Sequence, residues 1–300
     1  MLYYRQVSTL FSVLTLCCLL SAANATPIFS ITDTHTGKTM SRDALLDRLV
    51  QADVVFVGEQ HMDPVTHALE LTILEGLHKR VGARLTLGME MWERDAQPAL
   101  DAYLHGRTNE AAFLKTARPW SNYQTDYRPL IEYAKANNIP VLASNVPKPI
   151  ASAVGKRGLA ALADFPADQY AALTQAPHDG AWLRFQAVME SMGGAHGSAA
   201  MDEATVARFY EAQTVRDETM AESITRRLDT APNGLVLHIN GQFHSDYGDG
   251  IPRRVLWRRP LTKIVIVSVM PVADVKKVPT KLDRKLADYV VLVVAPPGRQ

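Results

Sequence analysis

The sequence predicts an α/β fold, with a mostly parallel central sheet flanked by helices and a small inserted helical cap. Short apolar runs alternate with helical patterns three times between residues 41 and 145, as strand-helix-strand units do. These runs lack period-two polarity, so both faces of each strand must be covered, as in parallel sheets. From about residue 159 to 201 the strand signals lapse, which marks the inserted segment.

Ser41 is the expected N-cap of a first helix carrying Ala44, Leu45, Leu46, Leu49 and Val50. A buried strand over residues 54–57 follows. Asp63 and Pro64 open a second helix, the acid at the cap and the proline in the first turn, with Leu69, Ile73, Leu74 and Leu77 recurring along it. The next strand covers 85–89, and a helical segment over 94–104 stops at Gly106. After an aromatic stretch over 120–127, another helix spans about 129–136, and Asn137-Asn138-Ile139-Pro140 turns into a strand over 141–144. Residues 191–198, rich in glycine and serine, read as a flexible loop. A long helix over about 203–228 and strands over 234–239, 263–270 and 289–294 complete the chain. The expected organisation is a body of residues 26–158 and 203–300, with the cap formed by residues 159–202.

Residues 1–25 have the three parts of a secretory signal: Arg5 near the start, an apolar stretch over 11–20, and Ala23-Asn24-Ala25 as a small-x-small cleavage site. The apolar stretch is shorter than the roughly 20 residues a membrane-spanning helix needs. Cys17 and Cys18 are the two cysteines of the chain and both lie here, so an exported mature form has no disulfide, thiolate nucleophile or cysteine-bound metal. Leu16 before Cys17 is a poor context for lipidation. The expected location is therefore exported, either periplasmic or membrane-associated. Acidic and basic residues nearly cancel, 31 against 32, which leaves no electrostatic footprint for nucleic acid.

Four of the apolar strands run into polar side chains: Gly58-Glu59-Gln60-His61, Glu90, Asn145, and Asn240-Gly241-Gln242-Phe243-His244. In open α/β sheets ligands bind at the carboxyl ends of the strands, so these exits define one rim. The spelling Gly-x-x-His occurs at the first and the last, where glycine lets the backbone turn tightly beside a ligand. Glu59 and His61 can share a proton, bind a metal or hydrogen-bond a ligand; alternatively Glu59 only caps the following helix. Glu59, Glu90, His61 and His244, with His238, have the residue types of a metal site, yet no spacing such as His-Glu-x-x-His supports a metal. On the long helix, Phe209, Gln213, Arg216 and Met220 share one face. Arg216 there either pairs with a rim carboxylate or clamps an anionic group. The cap region holds His178, His196, Met189, Met192 and Tyr170, which with Tyr210 form a mixed set of iron ligands and soft contacts.

Val57-Gly58-Glu59-Gln60-His61, Glu90-Met91-Trp92-Glu93-Arg94, Asp126-Tyr127-Arg128-Pro129-Leu130, Asn145-Val146-Pro147, the run from Ala212 to Ala221, and Gly241-Gln242-Phe243-His244 through Gly250-Ile251-Pro252 together resemble the ChaN-like haem-binding family. That family belongs to the Tiki and erythromycin-esterase superfamily. The likeness covers nearly all of the mature chain and keeps the motif order. It implies an α/β body with a helical cap, haem near the cap, a homodimer around the haem, and a role in haem-iron acquisition with membrane-associated uptake machinery. It also implies iron ligation through tyrosine, for which Tyr210 is the first choice and Tyr170 the second, with His196, Gln213 and Arg216 as further haem contacts. Hydrolytic members of the superfamily use residues matching Glu59, His61, Glu90 and His244. The alternative function is therefore a hydrolase working from that rim, with or without a divalent metal. ChaN-like members are often lipoproteins, and the cysteine context here departs from that pattern.

Overall fold

The computed structural model describes residues 29–174, 179–195, 201–276 and 282–295. The segment expected to be a secretory signal, residues 1–25, and His178 and His196 lie outside these residues. Eight strands form one sheet in the order β2-β1-β8-β7-β3-β6-β4-β5. They are β1 (Phe29–Asp33), β2 (Lys38–Met40), β3 (Val54–Glu59), β4 (Leu85–Glu93), β5 (Val141–Asn145), β6 (Leu235–Gly241), β7 (Ile264–Val272) and β8 (Tyr289–Val294). The six strands from β8 to β5 are parallel, and β1 joins β8 and β2 antiparallel. The β1–β2 hairpin lacks a long apolar run, and sequence reasoning passes over it. It adds an antiparallel margin to a parallel sheet.

Helices cover both faces because the strands are apolar on both sides. Val55, Val57, Leu87, Met89, Leu237 and Ile239 point to one face, with α1 (Arg42–Leu49), α2 (Pro64–Val81), α3 (Gln97–Leu104) and α5 (Arg128–Ala136) packed over it. Val54, Phe56 and Val236 point to the other face, against Met220, Ile224 and Leu228 of α8 (Glu203–Thr230) and Ile251 and Val255 of α9 (Ile251–Arg258). A third apolar cluster joins α6 (Lys148–Arg157) to α8 through Ile150, Val154 and Val215.

Local signals fix the helix starts. The Ser41 side chain accepts from the Ala44 amide, and Asp63 accepts from Val65 with Pro64 at the first position of α2. The capping acid of α2 is therefore Asp63 and not Glu59. Glu110–Ala117 forms α4, capped by Asn109, a helix that sequence reasoning passes over. The 120–127 stretch includes a π-helical turn at Tyr123–Tyr127. Between α6 and α8 lie a 3₁₀ segment, Leu159–Asp164, and α7 (Asp179–Ala195), which packs on α8. The helix persists through residues 191–195, which composition assigns to a loop. Each glycine there costs about 1 kcal/mol relative to alanine, a penalty that an already nucleated helix absorbs. No helix among the described residues is long and apolar enough to cross a membrane.

Candidate functional site

The strands β3, β6, β4 and β5 are adjacent and parallel, so their carboxyl ends form one edge. Glu59 and Glu90 are strand residues rather than the first loop residues, because β3 and β4 extend beyond their apolar runs. Strand alternation then separates them. Glu59 follows Val57 onto the face of α2 and α5, whereas Glu90 turns to the face of α8 and α9. The rim thus has two polar halves.

On the first half, the His61 Nδ1 lies 2.6 Å from Glu59 Oε1, and the Tyr127 hydroxyl donates to that same oxygen at 2.6 Å. Burial disfavours the charged His61 ring, but the hydrogen bond to Glu59 and the charge of Glu90 prevail and raise its pKa. Its side chain is 40% exposed, so the ring is open to solvent while Glu59 is closed off. Two residues from α2 complete this half. His67 Nδ1 is 3.1 Å from Glu70 Oε2 and 3.6 Å from Glu59 Oε2, and all three residues are buried. Among the described residues, Glu59, His67 and Glu70 are the group whose donor atoms cluster as metal ligands do, within 4.8 Å of one another. Sequence reasoning missed His67 and Glu70. Their spacing of three on a helix that starts beside Glu59 is the signal that could have found them.

On the second half, His244 bridges two buried carboxylates, with Nε2 3.1 Å from Glu90 Oε1 and Nδ1 2.5 Å from Asp217 Oδ1. Burial would lower its pKa, but the charges of Glu90 and Asp217 dominate and raise it to about 10. Burial would likewise raise Glu90, yet the charge and hydrogen bond of His244 hold it down at about 2. These two carboxylates favour the protonated His244 ring and hold it in place from both nitrogens. The amide of Gln213 lies 2.9 Å from Nδ1. The guanidinium beside this cluster belongs to Arg254, with Nη1 3.7 Å from Asp217 Oδ2 and Nε 3.4 Å from Glu218 Oε1. Arg216, expected in that role, is half-exposed and makes no hydrogen bond or ion pair with the described residues. His238 is fully buried between Ser144 and Asn240, at 2.9 Å from each, and burial lowers its pKa to about 4. It is a neutral core residue.

The two Gly-x-x-His segments interlock. A Cβ at Gly241 would lie 2.7 Å from His61 Nε2, and one at Gly58 would lie 3.0 Å from the Gln242 Cα. Gln60 donates to Gln242 at 2.8 Å, tying the same two turns. Gly241 has an ordinary φ of −55°, so what demands glycine is close approach rather than a left-handed turn.

Beside the second half, a cavity of about 350 Å³ opens between α7, α8 and the turn after β6. Its walls include Phe185, Val188, Tyr210, Gln213, Phe243 and Arg184. Tyr210 is 7% exposed and has Trp182 and Phe185 at ring-centroid distances of 5.3 and 5.2 Å. Arg184 pairs with Asp249 and lies 4.7 Å over the ring of Tyr247. Tyr247 adopts a left-handed φ of 62° at this wall. Tyr170, the second tyrosine named from sequence, is elsewhere. Its hydroxyl donates to the Leu162 carbonyl at 3.3 Å and its partly buried ring packs on the α6–α8 cluster, so it does not line the cavity.

The family model for haem-binding uptake proteins of the Tiki superfamily, ChaN, matches residues 45–255. The chain belongs to this family. ChaN of Campylobacter jejuni, in a structure described as showing cofacial heme binding, superimposes with a TM-score of 0.66. That match is 17% identical and covers 88% of this chain and 96% of that one. An erythromycin esterase in its open conformation is a more distant neighbour, with a TM-score of 0.49 and 11% identity, covering 89% of this chain and 83% of that one. In sequence, the chain is 24% identical over 243 residues to RETICULATA-RELATED 5, a chloroplastic protein of Arabidopsis thaliana. The match takes in 75% of this chain but about a third, 32%, of that relative.

Proposed function

We propose that this chain is an exported haem-binding protein of haem-iron acquisition, holding iron porphyrin in the cavity between α7 and α8. The observation that carries the reading is the setting of Tyr210, a tyrosine wedged between two aromatic rings at the wall of a mainly apolar cavity beside an arginine. A porphyrin is flat and apolar with two acidic arms, and this wall offers both kinds of contact, the arms meeting Arg184. Bound haem would supply an iron centre for which a tyrosine oxygen is a suitable axial donor. Gln213 lines the same cavity and couples it to His244. The exposed side chains of Leu183 and Phe243, on α7 and in the turn after β6, suit a homodimer that closes over the ligand. In this role the segments from 159 to 202 act as the cap, and the exported chain exchanges haem with membrane-associated uptake machinery.

Ferric haem titrated into the mature protein and followed by absorption should saturate at a fixed ratio and shift the sedimentation from monomer towards dimer. Trp182→Ala should weaken binding without changing the melting temperature by more than a few degrees. Haem uptake no greater than that of an unrelated protein would overturn the reading.

One observation favours a second reading, a hydrolase. His61 is held through Nδ1 by buried Glu59, and its ring is partly exposed, the arrangement of an oriented general base. On that reading His61→Ala abolishes turnover of an activated ester by haem-free protein. Rates equal to the uncatalysed background in the unaltered protein would end it.

A further inference from the structure

We infer that Glu59, His67 and Glu70 form a buried binding site for a divalent transition-metal ion, separate from the haem cavity and independent of the haem reading. The first observation is the orientation of His67. Its Nε2 lies 3.2 Å from the His61 carbonyl oxygen and 3.4 Å from Asp126 Oδ2, so this nitrogen carries a proton. In the neutral ring Nδ1 then presents a lone pair, and it faces Glu70 Oε2 at 3.1 Å and Glu59 Oε2 at 3.6 Å. A lone pair aimed at two carboxylates is repulsive unless a metal ion or a proton lies between them, and the two cases are separated by metal content.

The second observation is an unmet polar demand. Glu59 and Glu70 are 2% and 0% exposed, and Glu59 Oε2 and Glu70 Oε1 have no hydrogen-bond partner. The other oxygen of each has a partner, but a buried carboxylate oxygen left unmet is costly to the fold. The other half of the rim balances its acids with His244, Arg254 and Arg258. Here no lysine or arginine pairs with Glu59 or Glu70 among the described residues.

The third is a supporting shell of the kind that orients metal ligands. Asp126 and the His61 carbonyl fix the far nitrogen of His67, Asn122 donates to both at 2.7 and 2.8 Å, and Tyr127 fixes the other Glu59 oxygen. Two carboxylates and one imidazole are the oxygen and nitrogen donors that zinc and manganese accept. Donor atoms within 4.8 Å of one another need a small contraction to reach bonding distance.

The test is the metal content of the natively purified protein, and of protein refolded with zinc chloride, with manganese chloride, or with chelator, followed by exhaustive dialysis. One ion per chain is expected after refolding with metal, with a melting temperature several degrees above the chelator-treated sample. Glu70→Gln should lose the ion and the metal-dependent shift, whereas Glu90→Gln should keep the ion. Because the first comparison uses the unaltered chain, it stands even where a variant fails to fold. Less than a tenth of an ion per chain, with equal melting temperatures, would overturn the inference and leave a shared proton as what neutralises the pair. Haem affinity measured on the same samples reports on the cavity alone, so failure of one reading is distinguishable from failure of the other.

Discussion

His244 and Glu90 show how far single side chains depart from their free behaviour here. Buried ion pairs lose most when one partner is removed, since the other charge is stranded. His244→Ala leaves Glu90 and Asp217 facing each other without a cation and should destabilise the protein by about 3–5 kcal/mol, measurable by urea unfolding at pH 7. The pH dependence has a definite sign. A histidine raised to about 10 in the fold stabilises fully below its ordinary value of 6.5, and that contribution is lost as pH rises towards 10. Glu90, lowered from 4.5 to about 2, stabilises above its ordinary value and loses that contribution as pH falls through the same interval. Melting temperature should therefore be highest between about pH 5 and 6.5, and the alkaline decline should flatten in a His244 variant. Charges of this kind are invisible in sequence, because the letters His and Glu do not say which face of the sheet they will share.

At the scale of elements, the strands and the long helix were legible because buried parallel strands are unbroken apolar runs and α8 has a clean cap and period. The β1–β2 hairpin and α4 were not, since their signals are short and their stability comes from neighbours. The repeated Gly-x-x-His was visible, but its physical meaning came from the register of β3 against β6, where each glycine makes room for the other motif. Gly58→Ala should cost more than Gly241→Ala, within about 1–3 kcal/mol each. The first meets the backbone of Gln242, whereas the second meets the partly exposed ring of His61, which can turn aside by giving up its bond to Glu59. Thermal melts of the two variants check that order. None of residues 181–190 of α7 is buried, whereas α8 contributes Val215, Met220, Ala221 and Ile224 to the core. Amides of α7 should exchange with deuterium far faster than those at 214–224, and haem should slow α7 selectively.

For the whole molecule, one sheet edge carries two polar clusters on opposite faces, and an aromatic cavity adjoins only one of them. That division follows from strand alternation. The rim was legible from four polar strand ends, whereas the partition between Glu59 with α2 and Glu90 with α8 was not, because it depends on which helix covers which face. Tyr210 and Gln213 were legible as neighbours on α8, while Arg254 and Asp217 emerged only when α9 packed beside that helix. The central claim, that haem is held on the α7–α8 side and not by the histidines of the rim, is tested by comparing ferric-haem affinity in Tyr210→Phe and His61→Ala. Tyr210→Phe should bind at least tenfold more weakly with an altered absorption spectrum, and His61→Ala should bind unchanged. Unchanged affinity and spectrum in Tyr210→Phe, with binding lost in His61→Ala, would contradict it.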